Sequence, residues 1–460
     1  MVALLIGRQL FCMVDQFHKY IASQNLLNGG EKALIATSGG VDSVVLCHLF
    51  KASRLPFAMA HCNFQLRGED SDNDESFVKT LAATLQVGFH TTRFDTQLFA
   101  EQNKASIQQA ARELRYVWLE EIRQQASCQY IATAHHLDDS IETLLYNFSK
   151  GCGLRGLHGI LPKNGHLIRP ILFATKRNLL AFAEGENIEY REDASNLTDK
   201  YNRNLLRHHV VPVFERINPA FQRVAGETIE RLRESELLYD FALQKIQDDV
   251  VEKHQYEWRI DHQKLRSYPA PFTVLFELLK HHGFNNDQVK NILQSIDNQP
   301  GSIFESPPAR LLVDRFFLIL SLGENHVGVI EMPGIPSTPI ELPTGASLGL
   351  SLHAGQPAAT PPASPNTAWL DADKLEWPLR LRHWQPGDAF CPLGMGGKHQ
   401  KLQDFFSNNK LTRFEKERVW LLESGGKIAW VVGMRLDERY KVTAATKTLI
   451  QLDYSPSTSL

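Results

Sequence analysis

The chain has 460 residues, 43% of them hydrophobic and 22% charged, a globular composition long enough for roughly three domains. A net charge of −3 excludes a global field for nucleic acid, so any such binding rests on local basic patches. The six cysteines, at 12, 47, 62, 128, 152 and 391, form no C-x-x-C pair, which excludes a zinc knuckle and a redox dithiol and fits a reducing cytoplasm. Val2 to Ile6 is too short for the apolar region of a signal peptide, no window reaches membrane-spanning length, and Met13 is a second candidate start.

Residues 32 to about 215 alternate short apolar runs with helical patterns, which predicts βαβ units around a parallel sheet with strands at 32–37, 57–62, 88–94, 129–134 and 167–172. The first strand leads into Ser38-Gly39-Gly40-Val41-Asp42-Ser43 and then an apolar helix, Val44 to Phe50. Two glycines let the backbone approach an anion, and the helix start aims free N–H groups at the same point, so the loop is suited to phosphate. Asp42 would repel phosphate unless a cation lies between them, and Mg²⁺ is the usual bridge. The competing reading is a plain turn with Asp42 or Ser43 as helix cap. The loop lacks the Gly-Lys-Ser/Thr ending in which a lysine reaches terminal phosphates, which argues against γ-phosphoryl transfer.

Phe77, Leu81 and Leu85 mark one amphipathic helix, and Ile107, Ala111, Leu114, Trp118 and Ile122 a longer one that opens with a Ser106–Gln109 capping box. Arg112 on that helix is either a surface arginine or a guanidinium for a phosphate. His135-His136-Leu137-Asp138-Asp139-Ser140-Ile141-Glu142-Thr143 follows the next strand. Asp139-x-x-Glu142 alone could be a capping box. Together with Asp42 at a neighbouring strand end, these carboxylates can instead converge on the Mg²⁺ of an ATP polyphosphate, with His135 or His136 donating to the α-phosphate and the other buried. In open sheets of this kind ligands bind beyond the carboxyl ends of the strands, where the 38–43 loop, Asn63–Arg67 and His135–Asp139 all fall.

After Pro219 the pattern turns helical, over 220–255, 271–282 and 286–296, followed by β-like runs at 302–305 and 310–321. Ala354 to Asn366 is proline-rich and reads as a linker. Beyond it, 376–453 predicts an α+β unit with strands at 379–383, 427–432 and 448–452. Two stretches are locally basic: Asp199–Arg223, with five basic residues to two acidic, and Gly396–Arg418, with six to three. Each is a solvated face or an RNA footprint.

These segments resemble the PP-loop ATP pyrophosphatase superfamily, and more narrowly the tRNA(Ile)-lysidine synthetases. Ser38–Ser43 looks like the SGGxDS loop; His61-Cys62-Asn63 with Leu66-Arg67, Ser106–Tyr116 and His135–Thr143 are similar to three further motifs. Gly151–Gly153 with Gly156-Leu157, Ile168–Pro170, Glu192-Asp193 with Ser195-Asn196, and Tyr201 with Arg203-Asn204 and Arg207 also fit. So do Pro386–Asp388, Pro392–Met395 and Lys401–Phe406. Phe64 stands where the family usually has histidine, and Ser140 where it usually has glutamine.

The resemblance implies an α/β fold. An adenine nucleotide alpha hydrolase-like PP-loop domain would span 1–215, a small, mostly helical tRNA-contacting domain 216–330, a β segment and linker 331–375, and an α+β tRNA-binding domain 376–460. It implies that ATP adenylates the C2 oxygen of the wobble cytidine of a CAU-anticodon tRNA(Ile), and that free L-lysine then displaces AMP. Ser38, Gly39, Gly40, Val41, Asp42 and Ser43 would bind ATP; Asp42 and Asp139 would hold Mg²⁺; Glu142 would position Mg²⁺ or the lysine amine; Arg112 and His135 would act at the α-phosphate. Arg203, Arg207, Lys398 and Lys401 become tRNA contacts, and oligomerisation stays open. The rivals are a PP-loop tRNA thiolase, which would carry paired cysteines, an amidating synthetase, which would carry an amidotransferase domain, and an RNA-binding protein with a vestigial nucleotide pocket.

Overall fold

Six strands pair into the sheet that carries the site: β1 (Ala33–Ala36), β2 (Phe57–Asn63), β3 (Gly88–Arg93), β4 (Tyr130–Ala132), β5 (Lys163–Asn164) and β6 (Leu167–Ile168), in the order β3-β2-β1-β4-β6-β5. All pairings are parallel except β5 with β6. The computed structural model describes residues 2–191, 202–254, 256–298, 300–307, 309–322, 328–343, 345–354 and 364–456. Glu192, Asp193, Ser195, Asn196 and Tyr201, and residues 355–363 of the proline-rich stretch, lie outside them.

Alternation along β1 builds the layers, because successive strand residues point to opposite faces. Ala33 and Ile35 join one core with Val44, Leu46 and Phe50, while Leu34 joins another with Leu119 and Ile122. The helix Val41–Ala52 therefore covers one face and Ile107–Gln125 the other. The long helix begins where its capping box requires: Ser106 Oγ accepts from Gln109 N, and the Gln109 carboxamide accepts from Ser106 N. The expected strand at 167–172 stops at Ile168, since Pro170 lacks the N–H a ladder needs.

The chain divides into two compact units, 1–240 and 241–460. The second adds strands to the mostly helical segment expected over 216–330. Beside the expected β-like runs at 302–305 and 310–321, two further strands pair in: β7 (Val251–Lys253), β8 (Glu257–Asp261), β9 (Ile303–Ser306), β10 (Ala309–Val313) and β11 (Phe317–Leu322) form an antiparallel sheet in the order β7-β8-β11-β10-β9. The apolar runs before and after its helices pair across them, a non-local contact that helical periodicity cannot announce. One face packs on the helices Pro271–Leu279 and Asn286–Asn298. On the other, Leu312 and Ile319 bury Phe414 of the helix Arg413–Arg418.

Residues 331–375, expected as a β segment and linker, contribute strands to two sheets. The strand Ile330–Met332 pairs with Leu379–His383, and Ser347–Ala354 and Thr367–Asp371 both pair with Thr448–Ser455. Met332, Leu348 and Leu370 share a core with Trp420 and Trp430. Among the described residues no helix is long and apolar enough to cross a membrane.

Candidate active site

The strand order reverses between β1 and β4, and ligands in open α/β sheets sit in the crevice at such a point. The turn after β1 carries Asp42, and the turn after β4 carries His135, His136 and Asp139. In the first turn Gly39 adopts φ +95°, a left-handed conformation that a side chain would strain. Gly40 caps the helix. Ser43 Oγ accepts from Ser38 N at 3.1 Å, lies 3.2 Å from Ser38 Oγ and donates to Gly40 O at 3.0 Å, so both serines brace the loop. Val41 is buried beneath it.

Asp42, His136, Asp139, Glu142, Lys176 and Arg207 line one cleft of about 460 Å³. His136 Nε2 lies 3.8 Å from Asp42 Oδ2 and 3.7 Å from Asp139 Oδ2, so the carboxylates of two separate strand ends face one imidazole edge. Nδ1 of the same ring lies 3.2 Å from Asp138 Oδ2. Burial alone would lower the His136 pKa, but Asp138, Asp139 and Asp42 outweigh it and the net shift is upward. Asp139 does not open a capping box with Glu142. It accepts from the backbone N–H of His136 at 3.0 Å, and the helix Leu137–Lys150 is already under way.

Glu142 is 2% exposed, and burial raises its pKa against the opposing pull of Arg207. Arg207 Nε donates to Glu142 Oε1 at 2.6 Å and Nη2 to Oε2 at 3.2 Å, with Nη2 also 3.6 Å from Asp139. Arg207, expected as a tRNA contact, is thus engaged with carboxylates of the cleft. A π-turn over Leu206–Val210 re-aims the side chain into the cleft. Arg203, one turn earlier, stays exposed, as do Lys398 and Lys401 in the second unit.

A second cleft of about 450 Å³ takes in the first residue of the loop, lined by Ser38, His61, Asn63, Phe64, Arg67 and Arg115 among others. The Phe64 ring stacks on Phe94 at 5.8 Å and lies beneath the Arg115 guanidinium at 5.1 Å, so the unexpected phenylalanine forms an apolar wall. The other departure, Ser140, is fully buried, and its Oγ accepts from Ile160 N at 3.3 Å. A Cβ on Gly159 would stand 3.1 Å from Ser140 Cβ, leaving little room for a longer side chain.

The structure does not bring Arg112 or His135 to the lining of either cleft. Arg112 is exposed, with its guanidinium 4.9 Å from the Tyr116 ring centroid. His135 Nδ1 pairs with Thr133 Oγ1 at 2.8 Å, and burial lowers its pKa to about 4. Sequence reasoning missed Lys176, whose Nζ lies 2.8 and 2.9 Å from the two Asp42 oxygens. Its only local signal is the Thr175–Asn178 capping box, which marks a helix start at the end of β6's connection.

Among the described residues no group of three or more His, Cys, Asp or Glu side chains is arranged to hold a metal ion. Mg²⁺ does not need such a cage: it takes one or two carboxylates together with substrate phosphates and water. The hard oxygen donors of Asp42 and Asp139, beside a loop suited to phosphate, fit that requirement.

A PP-loop domain matches residues 13–214, the class to which this sheet and loop belong. A TilS substrate binding domain matches 253–324, the module built on β7–β11, and a TilS substrate C-terminal domain matches 379–453. A tRNA(Ile)-lysidine synthase of Parabacteroides distasonis is 40% identical over 448 residues, spanning 96% of this chain and 100% of the relative. That of Bacteroides thetaiotaomicron is 36% identical over 436 residues, spanning 94% and 97%. The chain belongs to the tRNA(Ile)-lysidine synthase family.

Proposed function

We propose that this protein ligates lysine to C2 of the wobble cytidine of CAU-anticodon tRNA(Ile) at the expense of ATP, converting an AUG-reading anticodon into one that reads AUA. A cytidine carbonyl oxygen is a poor leaving group until it bears a phosphoryl group. The C2 oxygen therefore attacks the α-phosphorus, the bond to the bridging oxygen breaks, and pyrophosphate departs. A lysine amine then bonds to C2, loses a proton, and AMP leaves with the activated oxygen.

The observation that carries this reading is the meeting of Asp42 and Asp139 at His136, beside a phosphate-suited loop whose Ser38 lines one cleft and whose Asp42 lines another. The adenosine belongs in the Phe64 cleft, and the polyphosphate crosses the Ser38–Ser43 loop toward Asp42. His136 is placed to donate toward the α-phosphate, and the loop's N–H groups stabilise charge growing on pyrophosphate. Asp42 and Asp139 are the residues that would hold Mg²⁺, which neutralises the polyphosphate. Glu142 offers a buried carboxylate for the lysine ammonium. The target base leaves its stack to enter, cheaply in a single-stranded anticodon loop. Paired cysteines suited to sulfur transfer are absent from the sequence, and burial pushes the Cys62 thiol up to about 12, which disfavours a thiolase.

The test is incubation with ATP, labelled lysine and transcripts of individual tRNAs. Label should enter only the CAU isoleucine transcript, with release of AMP and pyrophosphate. No label in any transcript, lysine incorporation without ATP, or sulfur incorporation when a labelled sulfur donor replaces lysine would overturn the reading.

A further inference from the structure

The Ser38–Ser43 loop carries no lysine, yet a departing pyrophosphate gains from a cation aimed at it. The fold brings one from elsewhere. Lys176, 134 residues beyond Asp42, reaches across the cleft and sets Nζ 2.8 and 2.9 Å from the two Asp42 oxygens.

Its backbone is anchored, while its side chain is held only by a solvent-open ion pair. Lys176 opens the helix Lys176–Gly185 behind the Thr175 cap, and its N–H donates to Asp138 Oδ2 at 2.8 Å. The side chain is 39% exposed, and an ion pair that open to solvent contributes little, so the ammonium can exchange partners cheaply. Arg207, the cleft's other strong cation, is held by a buried carboxylate it cannot leave without cost. Four flexible methylenes let the ammonium move while the helix stays in place.

We propose that Lys176 is the phosphate-binding lysine of this site, a role that rests on assigning the cleft to the ATP polyphosphate. Without nucleotide it neutralises Asp42. With nucleotide it passes to the β- and γ-phosphate oxygens and leaves Asp42 free for the cation side of the site. As the bond from the C2 oxygen to the α-phosphorus forms and the bond to the bridging oxygen breaks, the electron pair stays with pyrophosphate. The Lys176 ammonium donates hydrogen bonds to that charge without giving up a proton.

Calorimetry on the full chain in the presence of Mg²⁺ tests this, with ATP, inorganic pyrophosphate and adenosine as separate titrants. Lys176→Met should weaken ATP and pyrophosphate at least about tenfold, the scale of one charge-assisted hydrogen bond, and leave adenosine unchanged. Lys176→Arg should restore most of the loss. Unaltered pyrophosphate affinity in a folded Lys176→Met protein, whatever happens to its melting temperature, would overturn the inference. Failure of the wild-type protein to bind ATP or pyrophosphate would instead strike the assignment of the cleft itself.

Discussion

Arg207 grips Glu142 through two hydrogen bonds, of 2.6 and 3.2 Å, from a π-turn 65 residues further along the chain. The carboxylate is buried and the guanidinium only half so. Arg207→Ala should therefore cost roughly 2 kcal/mol, short of the full penalty for stranding a buried charge because solvent reaches the vacated space. Glu142→Gln should cost less while losing lysine transfer. Urea denaturation at pH 7 checks both, and an Arg207→Ala protein as stable as wild type would show that the pair carries no structural weight.

Asp42→Asn removes a carboxylate from the cleft and leaves the exposed Arg203, Lys398 and Lys401 in place. Pyrophosphate release dependent on tRNA should vanish while tRNA retention on filters stays within about threefold, since phosphate contacts elsewhere dominate that affinity. Chelation of divalent cations should abolish the same release in the wild-type protein. Normal turnover by Asp42→Asn would remove this residue from the metal assignment.

Arg203 and Arg207 are four residues apart but differ in surroundings, one exposed and the other engaged with Glu142. Arg203→Glu should weaken tRNA binding and lower the slope of log affinity against log salt by about one. An unchanged slope would take Arg203 out of the interface. The same measurement on Lys398→Glu and Lys401→Glu asks whether the second unit shares the contact.

Phe414 closes the open face of the β7–β11 sheet against Leu312 and Ile319, with Arg310 5.0 Å from its ring centroid. Around it Arg310 pairs with Glu417, Arg259 with Glu415, and Arg418 with Glu257. Phe414→Ala should cost about 3–5 kcal/mol and uncouple the two modules it joins, turning one denaturation transition of the second unit into two. A single transition at an unchanged midpoint would contradict this.

His61 is buried with Nδ1 2.9 Å from Thr37 O, and burial lowers its pKa below the ordinary 6.5. The unfolded chain takes up a proton near pH 6.5 that the folded one refuses until lower pH. His61 therefore contributes stability that is fully present above pH 6.5 and lost as pH falls toward its folded pKa. His61→Asn, which keeps a donor for Thr37 O, should flatten the acid side of the stability profile. An identical slope in both proteins would rule His61 out as its source.

The local determinants of the first unit were legible because each acts over a few residues. The apolar run Ala33–Ala36, the Ser106 capping box and the glycine pair at 39 and 40 need no distant partner, and the phosphate-suited loop followed from the run and the glycines. The second unit was less legible. Its strands pair over long separations, so 216–330 reads as mostly helical with two β-like runs, and 331–375 as a β segment and linker, until the sheets close. In the site, sequence placed Asp42, Asp139 and Glu142 at or just beyond strand ends; the residues alone left open which of His135 and His136 faces inward, the resemblance chose His135 and Arg112, and the cleft is lined by His136.

Which charges neutralise those carboxylates was decided by the tertiary structure alone. Lys176 lies in a segment whose local signal is a capping box, and Arg207 in one that fits the family pattern without revealing its partner. They meet Asp42 and Glu142 because a helix start and a π-turn aim them there, and the pairing of charges in a cleft depends on where side chains point in space. Chain order carries residue identity and short-range periodicity; orientation across a cleft exists only once the sheet has ordered its strands.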